Sequence, residues 1–393
     1  MTPPAGQESV IFSLFLIFTG ATLFASLALY ARQALPVAYI ALGALIGPSA
    51  LGFITDPSLI REMSQIGILF LLFLMGLDLA PGDLVRMLRK ATQVTLGASL
   101  VFALLGGLMA LAFGFSLTES LLIGAAMMFS STIVGLKLLP TTTLHHQHTG
   151  EVIISILLLQ DLIAIVILLI LKGIGGHDST LKGLGLLIVA LPALLGFAFL
   201  FAHFILIRLI RRFDKIREYI FLAAIGWCLG VAELAARLGL SHEIGAFIAG
   251  VSLATGPIAM YIADSLKPLR DFFLILFFCS LGAGFDLSVW KDILAPALAL
   301  TALMLGVKPW VFRWLLQQAG EQPVLAMTVG VRLGQASEFS LLIAVTALDI
   351  GLFGREASYL VQAVTLLTFI VSTYIVVLNY PTPVAVSDRL RRD

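Results

Sequence analysis

The chain contains long apolar runs that recur from one end to the other, and these runs restrict it to a small set of folds. The run VIISILLLQDLIAIVILLIL, residues 152–171, holds only three polar residues, Ser155, Gln160 and Asp161. A helix of about 20 residues is long enough to cross the hydrocarbon core of a bilayer, which is about 30 Å thick. The repetition of such runs predicts an all-α polytopic membrane protein.

The composition agrees with this prediction. Hydrophobic residues make up 60% of the 393 residues and charged residues 12%, whereas about a quarter of a soluble domain is charged. The net charge is +1, and the sequence shows no basic stripe of the kind that binds nucleic acid. Cys228 and Cys279 lie in apolar runs and are interpreted as small hydrophobic residues rather than a disulfide or metal ligands. The expected partner is therefore the lipid bilayer and not nucleic acid.

Dividing the chain at proline, glycine and clusters of charge predicts about thirteen spans. Their expected bounds are 8–31, 36–54, 60–79, 91–114, 117–139, 150–172, 181–210, 216–239, 241–260, 267–286, 291–317, 322–350 and 355–380. Lys and Arg should then collect in every second loop. Of the 24 Lys and Arg residues, sixteen fall on one side, six on the other, and two (Lys308 and Arg332) inside spans. This bias predicts an N-terminus outside the cell and a C-terminus in the cytoplasm.

The spans also divide into two halves. Spans one to six (about 8–172) and spans eight to thirteen (about 216–380) have nearly equal lengths, and a linker helix at about 181–212 separates them. Because the offset of seven helices is odd, the second half should be inverted relative to the first. Inverted-topology repeats are a common architecture of secondary transporters. The sequence thus predicts one transmembrane domain over 1–393, built from two inverted six-helix repeats.

The fifth span of each half is interrupted near its middle by small polar residues. The interruptions are Ser130, Ser131 and Thr132 in span five, and Gly334, Gln335, Ala336 and Ser337 in span twelve. Unwound backbone at membrane depth persists only where it lines a cavity or is buried in protein, and the half-helix ends can then face an ion. The alternative is that these residues only permit close helix packing. Their equivalent positions favour two crossed discontinuous helices.

Asp161 lies about 14 Å from one end of its run, at 1.5 Å per residue, and therefore close to the middle of the membrane. Burial favours the protonated form of a carboxyl group, so Asp161 is expected to hold either a proton or a dehydrated monovalent cation. An intramembrane carboxylate is functional by default; the alternative is a structural Asp that joins two helices. Gln160 would add an oxygen ligand or orient Asp161, unless it only links two helices.

Three other charged residues lie at membrane depth or beside a break. Lys308 is expected to balance the charge of Asp161 or of the carbonyl ends of the broken helices, unless it snorkels to the interface. Arg332 and Glu338 flank the break in span twelve, too far apart for an i,i+4 pair along an intact helix. They are candidates for charge compensation, with a structural bridge as an equal alternative.

The segment LHHQHT, residues 144–149, contains His145, His146 and His148. It invites a metal-binding or pH-sensing interpretation, but no companion set of ligands accompanies it. We therefore predict no metal site and no cofactor, and we interpret the segment as a solvated loop. Modulation by pH remains open.

Several motifs in this order resemble the Kef-type branch of the monovalent cation:proton antiporter-2 family. The motifs are LLFLMGLDL, FSSTIVGLKLL, LLLQDLIAI, LGLSHEIGAFIAGVSL, LFFCSLGAGFDL and GQASEFSLLI. The resemblance implies the sodium/proton-antiporter fold, with Asp161 as the transported-ion carboxylate and Gln160 as the residue that precedes it in potassium-efflux types. It makes Lys308, in GVKPW, similar to the lysine that faces the acid in sodium/proton exchangers. It also implies a homodimer and an elevator-like movement.

Two features depart from the Kef pattern. Kef systems continue into a cytoplasmic regulatory domain that senses glutathione adducts, whereas this chain stops at RLRRD; such a domain is expected as a separate partner only if the chain is truncated. The regulatory loop expected before span ten reads GPIAMYIADSLKPLR, with Met260 and Ala263 where His and Glu would stand. Glutathione gating is therefore not expected.

These observations predict a monovalent cation/proton antiporter of a bacterial-type inner (plasma) membrane, most simply for K⁺/H⁺ exchange, and not an enzyme. With one acid at the site, exchange should be one-for-one and electroneutral unless Lys308 also releases a proton. The alternatives are Na⁺/H⁺ exchange, a channel-like K⁺ pathway, a sodium-coupled symporter and a non-transporting sensor. An intramembrane aspartyl protease is disfavoured because its two motif aspartates are missing.

Overall fold

The computed structural model describes residues 10–54, 58–78, 81–137, 148–175, 181–213, 216–254, 258–285 and 289–382, and these residues are mostly helical. In chain order the helices are α1 (Val10–Tyr30), α2 (Leu35–Ile46), α3 (Ser58–Asp78), α4 (Pro81–Ala112), α5 (Leu117–Met127), α6 (Thr132–Lys137), α7 (His148–Gly175), α8 (Leu181–Phe201), α9 (Ile207–Arg212), α10 (Arg217–Arg237), α11 (His242–Leu253), α12 (Ile258–Ala283), α13 (Trp290–Gln318), α14 (Pro323–Arg332), α15 (Glu338–Asp349) and α16 (Arg355–Asn379). A π-helical turn, Ala202–Leu206, joins α8 to α9.

The helices have the lengths that a bilayer requires. Within the described ranges, seven are long and apolar enough to cross a membrane: Val10–Tyr30, Ala91–Ala112, His148–Leu168, Val189–Arg212, Arg217–Arg237, Trp290–Gln318 and Arg355–Asn379. Shorter apolar helices, among them Leu117–Met127 and Pro323–Arg332, accompany them. Each predicted span overlaps one to three consecutive helical segments. The prediction of an all-α polytopic membrane protein is confirmed.

Three predicted boundaries were wrong. Span nine was expected to reach residue 260, but α11 ends at Leu253. Span two was expected to reach residue 54, but α2 ends at Ile46, because Pro48 disfavours helical backbone at Gly47. The chain then turns, with Gly52 at a φ of +63°. Span ten was expected to begin at residue 267 after a loop, but α12 begins at Ile258 and passes through Pro268 without ending. The segment interpreted as a possible regulatory loop is therefore helical from Ile258 onward.

The chain forms two compact units, and each takes helices from both predicted repeats. One comprises Met1–Ala21, Tyr39–Arg86 and Lys172–Gly284; the other comprises Thr22–Ala38, Met87–Leu171 and Phe285–Asp393. In the first, α3 packs on α11 and α12. In the second, α13 packs on α14 and α16, and α15 packs on α16 and α5. The second unit holds both interrupted spans, and the inverted repeat itself remains a prediction.

In the first unit, α2 and α12 approach each other backbone to backbone. A Cβ atom added at Gly43 would lie 2.0 Å from the carbonyl oxygen of Cys279, and one at Gly282 would lie 2.0 Å from that of Ile40. Only glycine fits at such a distance. Small residues serve this purpose in membranes because lipid gives helices no hydrophobic reason to associate, so close packing must hold them together.

In the second unit, a histidine links the start of α7 to the turn between α13 and α14. Nε2 of His148 lies 3.0 Å from Oε1 of Glu321, and its Nδ1 lies 3.4 Å from Oε2 of Glu151 on its own helix. His145 and His146 lie outside the described residues. A histidine in water gains its charge at a pH of about 6.5, so acidic pH turns this link into an ion pair between His148 and two carboxylates.

We expect His148→Gln to reduce thermal stability at pH 6 and to have little effect at pH 9. The stabilisation is present while His148 is protonated and is lost as the pH rises. Since the side chains of His148 and Glu151 are more than half exposed, the effect at pH 6 should be about 1–2 °C in Tm. His203→Gln, at a histidine whose ring contacts Phe204, is the control. An equal loss of stability at both pH values would contradict an ionic role for His148.

Candidate functional site

The two interrupted spans cross at their breaks. Helix α5 ends at Met127 and α6 begins at Thr132, while α14 ends at Arg332 and α15 begins at Glu338. The hydroxyl of Ser130 donates to the carbonyl oxygen of Leu333 at 2.8 Å, which joins one break to the other. The prediction of two crossed discontinuous helices, made from their small polar residues, is confirmed.

Gln160, on α7, holds the break of the first discontinuous helix. Its Oε1 accepts the backbone N–H of Ser130 at 3.0 Å, and its Nε2 donates to the carbonyl oxygen of Met128 at 3.1 Å. The side chain thus satisfies one donor and one acceptor that the interrupted helix leaves without intrahelical partners. Gln160 therefore stabilises the backbone of the break, and this structural role is separate from the predicted role as an oxygen ligand.

Asp161 follows Gln160 on α7 and is 2% exposed. Its Oδ2 accepts a hydrogen bond from the hydroxyl of Thr132 at 3.1 Å, while its Oδ1 has no hydrogen-bond partner within the described part of the chain. The buried carboxylate of Glu338 also interacts electrostatically with it. A buried carboxylate is costly unless it is paired or neutralised. This arrangement is therefore suited to a carboxyl group that takes up a proton or a cation.

Lys308, on α13, joins the carbonyl ends of both discontinuous helices. Its Nζ donates to the carbonyl oxygen of Phe129 at 2.7 Å and to that of Gln335 at 3.1 Å, and lies 5.2 Å from the ring centroid of Phe102. The side chain is fully buried and does not snorkel. A cation at the C-terminal end of a helix compensates the negative end of the helix dipole, and Lys308 is placed to do so for two helices.

The remaining predicted residues lie at the second break. Gly334 and Gln335 are within it, and Ser337 caps α15 by accepting the N–H of Phe339 at 3.2 Å. The hydroxyl of Ser337 also lies 3.4 Å from Oε2 of Glu338. In a separate contact, Nη2 of Arg332 donates to the carbonyl oxygen of Pro381 at 2.7 Å, and the guanidinium lies 5.7 Å from the Tyr380 ring.

Sequence reasoning missed the helix that supports the second break. The N–H of Ala336 donates to the hydroxyl of Thr368 at 3.0 Å, and the hydroxyl of Ser372 donates to Oε1 of Gln335 at 3.0 Å. Both hydroxyls belong to α16. The signal was present as polar residues at helical spacing in an otherwise apolar span: Ser358, Gln362, Thr365, Thr368 and Ser372.

The chain is similar in sequence to known proteins. The chain is 29% identical over 349 residues to K(+) efflux antiporter 4 of Arabidopsis thaliana, covering 86% of this chain and 59% of that protein. It is 28% identical over 347 residues to the putative cation/proton antiporter YbaL of Escherichia coli, covering 86% of this chain and 62% of that protein. The chain thus spans about three fifths of the length of these relatives.

The fold has a solved counterpart. The sodium proton antiporter MjNhaP1 of Methanocaldococcus jannaschii superposes with a TM-score of 0.72, covering 93% of this chain and 95% of that one at 17% sequence identity. At this identity the likeness establishes the sodium/proton-antiporter fold alone. The family model described as "Sodium/hydrogen exchanger, transmembrane" matches residues 14–378, nearly the whole chain. The chain therefore belongs to the transmembrane sodium/hydrogen exchanger family.

Proposed function

We propose that this protein is a secondary antiporter that exchanges a monovalent cation for protons across the membrane. The observation that carries the proposal is the Asp161 carboxyl group, which is buried at the crossing of two discontinuous helices. Its Oδ2 accepts a hydrogen bond from the Thr132 hydroxyl, and its Oδ1 has no hydrogen-bond partner among the described residues. A proton or a cation neutralises the same carboxylate, so binding of one excludes the other.

The surrounding residues take definite roles in this proposal. Asp161 binds cation and proton in turn, the hydroxyl of Thr132 adds an oxygen ligand, and Gln160 and Ser130 hold the break in shape. Ser131 contributes to the same turn of backbone. Lys308 compensates the carbonyl ends of both discontinuous helices. Since Glu338 interacts with Asp161, its carboxylate adds to the negative potential that attracts a cation.

Potassium is the proposed cation, with sodium as the alternative. The side chain before the carboxylate is the neutral Gln160, so the site has a single acid on α7, and a relative is named as a K(+) efflux antiporter. The structural counterpart is named as a sodium proton antiporter, which keeps Na⁺ as the second candidate. Selectivity depends on the number and field strength of the oxygens around the ion.

The membrane, the orientation in it, the oligomeric state and the transport movement are also proposals. We place the protein in the inner (plasma) membrane with its N-terminus outside and its C-terminus in the cytoplasm, following the distribution of Lys and Arg. We also propose a homodimer that works by an elevator movement of the part that carries Asp161. Inverted repeats are a common basis for such alternating access.

A flux assay tests the proposed function. Purified protein in liposomes loaded with K⁺ should acidify the interior as K⁺ leaves, with smaller signals for Na⁺ and Li⁺, and with a rate unaffected by an imposed membrane potential. The last result is expected because one proton replaces one cation at a single carboxylate. Cation flux without proton movement would instead indicate a channel, and a strong response to the potential would contradict electroneutral exchange.

A further inference from the structure

One face of α16 carries a row of buried polar side chains that leads to the ion site. Ser358, Gln362, Thr365, Thr368 and Ser372 are spaced by three or four residues and are at most 6% exposed. At 1.5 Å per residue the row covers about 21 Å along the helix. Some of these side chains bond only to backbone of their own helix; Thr365, for example, donates to the carbonyl oxygen of Val361 at 2.8 Å. Thr368 and Ser372 differ, because their partners Ala336 and Gln335 lie in the break itself.

Thr368 and Ser372 hold different parts of the second break. The hydroxyl of Thr368 accepts the N–H of Ala336 at 3.0 Å while donating to Thr365. Ala336 lies between two helices, so its N–H has no helical acceptor, and a buried N–H without a partner is costly. Ser372 instead binds the side chain of Gln335, donating to Oε1 at 3.0 Å. Thr368 thus supports the backbone of the break, whereas Ser372 controls a side chain.

The amide of Gln335 has one orientation that satisfies both of its neighbours. Its Nε2 lies 3.4 Å from the carbonyl oxygen of Ser131, and a carbonyl oxygen can only accept a hydrogen bond. The NH₂ group must therefore face Ser131, which leaves Oε1 to accept from the hydroxyl of Ser372. The hydroxyl and the carbonyl together fix the amide between α16 and the first discontinuous helix.

This orientation of the Gln335 amide affects how many oxygen ligands are available to a cation where the two discontinuous helices cross. Ser131 directly precedes Thr132, whose hydroxyl binds Asp161. The Ser131 carbonyl oxygen accepts the backbone N–H of Gly135 at 3.0 Å, and Gln335 donates to its second lone pair. While Gln335 donates, both lone pairs of that oxygen are engaged. The neighbouring carbonyls of Met128 and Phe129 are engaged in the same way by Gln160 and Lys308. The oxygens available beside Asp161 are therefore limited by side-chain donors, and the donor to Ser131 depends on Ser372 for its orientation.

We propose that Ser372 is a positioning residue that, through the amide of Gln335, sets which monovalent cation the Asp161 site prefers. The inference rests on the proposed cation/proton exchange, because it assumes that a cation binds beside Asp161. Without the Ser372 hydroxyl the amide can turn away. This frees one lone pair of the Ser131 carbonyl oxygen to act as an additional ligand, while its bond from Gly135 remains. Since preference among cations depends on the number of oxygen ligands, the ratio of affinities should change more than the maximal rate.

The test compares Ser372→Ala with Thr373→Val. Thr373 is the next residue on α16, is 1% exposed, and its hydroxyl has no hydrogen-bond partner within the described residues. Two readouts are measured with K⁺, Na⁺, Li⁺ and Rb⁺: the half-saturating concentration for proton-coupled flux, and the cation dependence of Tm in detergent. In Ser372→Ala the K⁺/Na⁺ affinity ratio should shift by about three- to tenfold, the equivalent of one hydrogen bond. The maximal rate should stay within about twofold, and Thr373→Val should match the wild type.

A double-mutant cycle tests whether Ser372 acts through the amide of Gln335. In a Gln335→Ala background, Ser372→Ala should cause no further shift in the cation ratio, because the amide through which it acts is missing. Ser372→Thr, which keeps a hydroxyl, should restore the wild-type ratio. An unchanged ratio in Ser372→Ala, an equal shift in Thr373→Val, or a full shift in the Gln335→Ala background would each overturn the proposal.

The two readouts separate this proposal from the proposed function. If the wild type binds cations in the Tm assay but moves no protons, the antiport mechanism is wrong, and the Ser372→Ala binding ratio still decides the positioning role. If no cation changes Tm and none drives flux, both proposals are overturned. Coupled flux with an unchanged ratio in Ser372→Ala overturns the positioning role alone.

Discussion

Liposomes that contain Asp161→Asn protein are expected to show no cation-dependent proton flux above that of empty liposomes. Asparagine has nearly the shape of aspartate and can still accept a hydrogen bond from Thr132, but it cannot take up a proton or carry the negative charge that binds a cation. Because the substitution removes a carboxylate that is 2% exposed, it also removes the cost of burying that charge. Tm should therefore stay equal or rise.

The measurement is the quench and recovery of a pH-sensitive dye over a series of cation concentrations, together with Tm. Asp264→Asn is the matched control, since Asp264 is exposed and pairs with Lys267 at 2.7 Å; it should keep the wild-type flux. Wild-type flux in folded Asp161→Asn protein would remove the central claim. Lost flux with a large fall in Tm would indicate a structural Asp161 instead.

Gly282→Ala is expected to destabilise the first unit strongly. The added Cβ would lie 2.0 Å from the carbonyl oxygen of Ile40, far inside van der Waals contact, and the obstacle is backbone that cannot rotate aside. Forced overpacking costs about 1–3 kcal/mol or more even where side chains can adjust. Here α2 and α12 must separate, so we expect the yield of monodisperse protein to fall several-fold and Tm to drop.

Gly230→Ala, on α10, is the control for this prediction. Nothing lies within 4 Å of a Cβ atom added there, and alanine has the higher helix propensity by about 1 kcal/mol. Its yield and Tm should equal or exceed those of the wild type, by size-exclusion profile and thermal melting. If Gly282→Ala matched Gly230→Ala, the backbone contact between α2 and α12 would not be required.

The features predicted correctly from the sequence have causes that are local along the chain. The breaks at Ser130–Thr132 and Gly334–Ser337 were found because small polar residues interrupt an apolar run. That pattern is visible in the sequence whatever the tertiary contacts are. The end of α2 at Ile46 was missed because hydrophobicity continues past Pro48, although the backbone turns there. The start of α12 at Ile258 was missed because dividing the chain at proline and clusters of charge placed a loop between residues 260 and 267, where the helix in fact continues.

The sequence by itself determined that the chain is a membrane protein and which spans are interrupted, and it predicted that Asp161 lies near the middle of its span. These properties follow from the length of apolar runs and the fixed rise of a helix. Only the tertiary structure decided what each polar side chain binds. Lys308 meets a carbonyl 179 positions away, and Gln335 meets one 204 positions away. Such contacts depend on where helices cross, and the hydrophobic pattern along the chain does not predict where two distant helices cross.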